Sequence, residues 1–168
     1  VVGYAFSSRI DTQLTLSALD MAVRRERPSP GLIFHSDRGV QYAAEAFRDR
    51  LAALGIRQSM SRKGDPYDNA VAENFFSCLK CERVHLRRYD SRRSAQADIF
   101  AYIEAFYNTL RPHSSIGWLS PCAFELRLRN AAAIRRGDLR DFTYYCDSFR
   151  FFALFTVYFL GKGSIRVQ

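Results

Sequence analysis

Gly31-Leu32-Ile33-Phe34-His35-Ser36-Asp37-Arg38-Gly39 is the stretch on which the fold reading turns. Its first five residues form a short apolar run fenced by breakers, with Pro28 and Pro30 before it and Gly39 behind. Such a run is too short for a helix and reads as a fully buried strand of a parallel pair. It delivers Asp37 just past the strand, and the carboxyl ends of strands are where open α/β sheets present ligand sites.

Working outward, Val2, Tyr4 and Phe6 alternate with small or polar neighbours, the pattern of a half-buried strand. Asp11 can cap a helix running to about Arg27, since its carboxylate can accept a bond from an early free N–H, and Leu16, Leu19 and Val23 recur at helical spacing. Downstream, Phe47, Leu51 and Leu54 mark one face of a helix from about Ala43, with Gly55 as a left-handed terminator. Ile56 to Ser61 can form another strand, and the Gly64 and Pro66 that follow predict a loop. Asp68 or Asn69 would cap the helix that carries Glu73. Ile99, Ile103, Phe106 and Leu110 define a further amphipathic helix stopped by Pro112. Strands alternating with helices predict a mixed α/β layer fold.

Composition fits one ordinary packed domain: 168 residues, 48% of them apolar. The net charge of +8 favours a polyanionic partner, because clustered Lys and Arg release condensed counterions from phosphates. Its distribution tempers that inference. Residues 1–126 carry 17 basic and 14 acidic side chains, whereas residues 127–168 carry 8 and 3, so most of the excess lies in the tail. Four cysteines without a secretory signal do not describe a disulfide scaffold, and a reducing, cytoplasmic setting is expected. The longest apolar run, Phe151 to Leu160, is about half of what a helix needs to span a bilayer. No membrane association is expected.

Asp37 and Glu73 are the candidate catalytic and metal-binding pair. Glu73 sits early in the helical stretch Asn69 to Lys80, where it can face a ligand held at the end of the Asp37 strand. Lys80 follows seven residues later, close to two turns, on nearly the same helical face. The segments HSDRGVQY, SRKGDPYDNAVAENFFSCLK and YNTLRPHSSIG, in that order, resemble the insertion-sequence branch of the DDE transposases and retroviral integrases. The likeness runs from Val1 to about Glu125.

That resemblance implies an α/β ribonuclease-H-like fold, DNA cleavage and strand transfer, and DNA partners in the form of transposon ends and target. It also implies that Asp37 and Glu73 are the last two of three carboxylates that bind Mg2+ or Mn2+, and that Lys80 contacts DNA near the reacting phosphate. The first carboxylate of the family lies on a strand upstream of the one that VVGYAFS resembles and is absent from this chain. The expected fold is therefore incomplete, lacking its first strands, with a partial catalytic core over 1–125 and an unmatched tail over 126–168. The chemistry suits the residue types. Two divalent ions can hold the attacking and leaving oxygens of an in-line phosphoryl displacement, and hard Mg2+ prefers carboxylate oxygens and water.

Arg62 and Lys63, in the loop before the Glu73 helix, can hold a phosphate. Lys80, Arg83, Arg87, Arg88, Arg92 and Arg93 form a basic stretch that reads either as a DNA-tracking surface, with Arg83 and Arg87 in it, or as a solvated helix face. Cys78, Cys81 and His85 mimic zinc spacing, but no second paired cluster follows, and buried structural cysteine is the better reading. His35-Ser36-Asp37 are consecutive and cannot converge as a catalytic triad. Arg111-Pro112-His113-Ser114 reads as a helix stop.

The tail packs nine of the chain's 24 aromatics between Phe142 and Phe159. A strand pair covering the core, an interaction patch and a shifted or fused reading frame all fit that composition. The functional readings are a metal-dependent DNA transferase, inactive alone or completed by another polypeptide, and a non-catalytic DNA-binding or interaction remnant. A ribonuclease-H-like nuclease is a third. A first strand without its covering neighbours leaves an open edge, so self-association through Val1–Ser7 is expected.

Overall fold

The computed structural model describes residues 1–62, 70–136, 154–160 and 164–167. They fall into two compact units, Val1–Ile99 with Phe151–Gln168, and Phe100–Arg150.

In the first unit, β1 (Gly3–Ser7) leads into α1 (Thr12–Glu26). The helix opens where its sequence dictates, with the Asp11 carboxylate accepting the Leu14 N–H at 2.9 Å. It ends with Arg27 in the left-handed conformation at φ 45°, its N–H returned to the Val23 carbonyl. The buried stripe of α1 is Leu14, Thr15, Ala18, Leu19 and Ala22, with Leu16 and Val23 at its half-buried margin. Small residues dominate this stripe because α1 lies tightly along β1. A Cβ on Gly3 would stand 2.4 Å from the Ala18 carbonyl oxygen and 2.7 Å from the Ala22 Cβ.

β2 (Ile33–Ser36) and β3 (Arg57–Met60) pair in parallel, with Ile33 opposite Arg57 and Ser36 opposite Met60. The crossover between them carries the short α2 (Val40–Ala43) and α3 (Glu45–Ala53). Gly55, at φ 66°, turns the chain after α3 into β3, as its position predicted. Ala18, Leu19 and Ala22 of α1 close over Leu32, Phe34, Phe47, Leu51 and Ile56 to form the core. β2 departs from the expectation of full burial. Phe34 is 2% exposed but Ile33 is 48% exposed, so only one face of the strand enters the core.

β4 (Leu154–Leu160) pairs parallel with β1, Gly3 opposite Leu154 and Ser7 opposite Tyr158, and antiparallel with β5 (Ser164–Val167). The tail thus contributes a strand pair. β1 ends this sheet, whose order is β1-β4-β5, so one of its edges is paired and the other has no strand neighbour among the described residues. α4 (Ala70–Glu82) buries Phe75, Phe76 and Leu79 and is followed by a single 3-10 turn, Val84–Leu86.

α5 (Arg92–Ala101) runs on into a π-helical segment, Tyr102–Tyr107. There the Asn108 N–H reaches back five residues to the Ile103 carbonyl, and the Arg111 N–H to that of Phe106. This overturns half of the expected apolar face. One residue added to a turn advances the helix surface by about 100°. Ile99 and Ile103 are fully buried as expected, but Phe106 and Leu110 are 41% and 70% exposed, and Tyr102 and Tyr107 are buried instead.

In the second unit, Pro112 ends this helix and a loop follows, closed by a bridge between His113 and Leu119. Arg111 stacks over the Tyr107 ring at 5.8 Å, and His113 meets that ring edge-on at 4.8 Å. α6 (Pro121–Arg136) then starts with proline in its first turn and the Ser120 hydroxyl accepting the Ala123 N–H at 3.3 Å. It runs through the expected junction at residues 125–126. Among the described residues no helix is long and apolar enough to cross a membrane.

Candidate metal and DNA site

Asp37 is held by a set of bonds around the carboxyl ends of β2 and β3. The Ser61 N–H donates to the Ser36 carbonyl at 2.9 Å, and the Ser61 hydroxyl donates to the same oxygen at 3.2 Å. The His35 ring lies between two hydroxyls, with Nδ1 2.9 Å from Ser59 Oγ and Nε2 3.3 Å from Ser61 Oγ. The buried Ser36 hydroxyl donates to the Asp37 carbonyl at 2.9 Å, and Arg38 Nε donates to the Ser61 carbonyl at 2.9 Å.

The Asp37 side chain is exposed, and its Oδ1 accepts the Gly39 N–H at 2.9 Å. Its second oxygen makes no hydrogen bond among the described residues. The strand end is thus rigid while half of the carboxylate remains open to a ligand.

Glu73 lies in the first turn of α4, a helix anchored by the buried Phe75, Phe76 and Leu79. It is exposed and makes no hydrogen bond or ion pair among the described residues. A carboxylate there is favoured by the positive end of the helix dipole. Lys80 is half-buried and likewise makes no ion pair among the described residues. Arg62 is exposed, and Lys63 lies outside the described residues.

Arg83 and Arg87 have a partner that local spacing did not reveal. Arg83 donates Nε to both oxygens of Asp98 at 3.0 and 2.9 Å and Nη2 to Oδ1 at 2.6 Å. Arg87 Nη1 adds a bond at 3.0 Å, and the Tyr89 hydroxyl donates to Oδ2 at 2.8 Å. Burial pushes the Asp98 carboxyl up, but the bonds from Arg83 and Tyr89 and the two arginine charges outweigh it and hold it below its ordinary value. Tyr89 is pushed up to about 12, first by burial and then by its bond to Asp98 and the negative charge there.

The donor set bears on which ion the chain could hold. Asp37 and Glu73 offer unengaged carboxylate oxygens, which suit a hard cation that keeps several waters. Among the described residues no group of three or more His, Cys, Asp or Glu could hold a metal ion.

Integrase core domain families match residues 1–66 and, overlapping, residues 54–121. The transposase for insertion sequence element IS904 of Lactococcus lactis is 42% identical over 125 residues, which cover 74% of this chain and 49% of that protein. The insertion element IS600 uncharacterized 31 kDa protein of Shigella sonnei is 46% identical over 133 residues, 79% of this chain and 49% of that protein. Transposase InsF for insertion sequence IS3A of Escherichia coli is 43% identical over 125 residues, 74% of this chain and 43% of that protein. The chain belongs to the integrase core domain family. It spans about half the length of these curated relatives.

A chain from the cryo-EM structure of the simian T-cell lymphotropic virus intasome in complex with PP2A regulatory subunit B56 gamma superimposes with a TM-score of 0.54 over 69% of this chain and 40% of that one. At 15% identity this likeness speaks for the fold alone. The integrase core has a ribonuclease-H-like α/β fold, incomplete among the described residues. Its parallel β2–β3 pair ends at Asp37, and the helix with Glu73 and Lys80 follows in chain order.

Proposed function

We propose that this integrase core serves transposase-type DNA cleavage and strand transfer, with transposon ends and target DNA as its partners. Asp37 and Glu73 would hold a divalent cation, Mg2+ or Mn2+, and Lys80, Arg62, Lys63, Arg83 and Arg87 would contact phosphate. The observation that carries this reading is the Asp37 carboxylate, fixed at a strand end through Oδ1 with its other oxygen open. The sequence likeness to named transposases supports it.

When bound, the cation would neutralise charge on the reacting phosphate and lower the pKa of a bound water. The chain's own contribution is positioning. The Ser36, Ser61 and Arg38 bonds hold the Asp37 backbone, the buried face of α4 holds Glu73 outward, and Lys80 shares the Glu73 face.

Because only two carboxylates are in hand, this chain alone is expected to bind DNA but turn over slowly or not at all. Strand transfer on a matching terminal repeat, with Mg2+ or Mn2+, tests the reading. Activity from this chain together with an upstream polypeptide that supplies a third acid, abolished by Asp37→Asn and by Glu73→Gln, would support it. Full activity in both variants would sink it. The second reading, a non-catalytic DNA-binding module, rests on the net charge of +8, which favours a polyanionic partner. It predicts salt-dependent binding that neither substitution changes and no cleavage in any combination.

A further inference from the structure

Asp98 is 11% exposed in its side chain, whereas the Arg83 and Arg87 it binds are 30% and 49% exposed. The carboxylate therefore lies beneath two guanidiniums that lie nearer the solvent. One negative charge serves two positive ones, so the group keeps a net charge of +1. Arg83 Nη1 and Arg87 Nε and Nη2 make no hydrogen bond among the described residues, leaving donors from both side chains available. A staple tying the end of α4 to α5 would need only Arg83, which alone makes three of the contacts to Asp98. Arg87, half exposed and bound through a single nitrogen, is surplus to that task.

Two arginines side by side repel unless something holds them. A guanidinium fixed on one edge has lost rotamer freedom and can present its other edge to an anion without ordering again. Arg83 and Arg87 follow Lys80 by three and seven residues, so the pair continues the chain from the helix that carries Glu73.

We propose that Asp98 is a positioning residue that holds Arg83 and Arg87 as a paired fork for a backbone phosphate of DNA. This rests on the DNA reading above and adds to it a residue that touches no DNA.

The sign of one substitution separates this from plain electrostatics. Asp98→Asn removes a negative charge, and a diffuse basic surface would then bind a polyanion more tightly. A positioned fork would bind less tightly, because the arginines lose their anchor. The experiment is fluorescence anisotropy of the 168-residue chain with a duplex oligonucleotide from 50 to 300 mM salt, with thermal melts of each protein alongside. The expected result for Asp98→Asn is binding weakened about fivefold to tenfold and a log–log salt slope smaller by about one, the value for one phosphate contact. Arg87→Gln should lose a similar slope with little change in melting temperature. A merely structural role would move the melting temperature and leave the slope of the folded protein alone.

Asp98→Asn that binds as tightly as the parent or tighter, with an unchanged slope, overturns the proposal. If that variant does not fold, Arg87→Gln decides, and an unchanged slope there overturns it equally. A parent chain that shows no salt-dependent binding overturns the DNA reading and this inference together, whereas parental binding with unaltered variants overturns this inference alone.

Discussion

The Gly39 backbone N–H donates to Asp37 Oδ1 at 2.9 Å and so fixes the carboxylate's rotation while leaving its second oxygen open. An aspartate that bonds to the N–H two residues on is an ordinary turn device. Here the turn follows a strand whose end is locked by Ser61 and His35, so the carboxylate points from a rigid base.

Asp37→Asn should separate this structural role from the chemical one. Asparagine keeps an oxygen for the Gly39 N–H, and the site is exposed, so stability should change by less than about 0.5 kcal/mol. Cation binding should fall by an order of magnitude or more, because the negative charge is gone. Urea unfolding together with Mn2+-induced water relaxation checks both, and unchanged relaxation enhancement would count against Asp37 as a ligand.

Phe34, two strand positions before Ser36, lies with it on the buried face of the strand. Its ring lies 5.3 Å from Phe47 and 5.9 Å from Tyr42, and it is 2% exposed. Phe34→Ala should lower stability by about 3–5 kcal/mol through lost burial and the cavity left behind. Chemical denaturation measures it, and a loss under about 1 kcal/mol would mean the aromatic cluster is not a packed core.

The close approach of α1 to β1 makes Gly3 intolerant of any side chain. A Cβ there would press on the Ala18 carbonyl, which is backbone and cannot swing aside. Gly3→Ala should therefore destabilise by about 1–3 kcal/mol, although alanine is otherwise at least as good as glycine in a strand. Equal melting temperatures for the two proteins would show that the helix lies farther from the strand.

Local chemistry made much of this legible in the sequence. Asp11 caps α1 because a short carboxylate reaches the first free N–H groups, and Gly55 turns the chain because it tolerates positive φ. Both signals act within a few residues. The π-helical segment at Tyr102–Tyr107 was not legible, since a 3.6-residue period has no means of registering one inserted residue. Nor was the pairing of β1 with β4, which joins strands about 150 positions apart and leaves no local trace. Asp37 and Glu73 stood out through their motifs and settings. Asp98 did not, because its ties to Arg83 and Arg87 depend on where α5 packs, while the sequence shows only one of three acids, with Glu82 and Asp90, scattered among arginines.

Among the described residues β1 ends its sheet, and a terminal strand invites pairing with another copy. Concentration-dependent association through Val1–Ser7 is the expected behaviour. Ser7→Lys, which puts a charge on that edge, should shift the equilibrium toward monomer in sedimentation velocity runs. A parent chain that sediments as a single monomer at high concentration would remove the edge from consideration.

The Asp98 cluster should leave its mark on stability at both ends of the pH scale, with opposite causes. Asp98 titrates below its ordinary value when folded, so its contribution is present above the ordinary carboxylate pKa and is lost as pH falls through the depressed one. Tyr89 is raised from 10.0 to about 12, so its contribution is complete below pH 10 and disappears between pH 10 and about 12. The groups facing the carboxylate are Arg83, Arg87 and Tyr89, and the arginines keep their charge throughout. Tyr89→Phe should lower stability at neutral pH by about 1 kcal/mol, the worth of one partly exposed hydrogen bond, and should flatten the decline above pH 10. Asp98→Asn should abolish this group's share of the acid decline while reducing the alkaline one only in part, because burial is the larger cause of the tyrosine shift. Urea midpoints measured from pH 3 to 12 separate the two limbs. A Tyr89→Phe protein that keeps the full alkaline decline would show that folding does not raise the phenol.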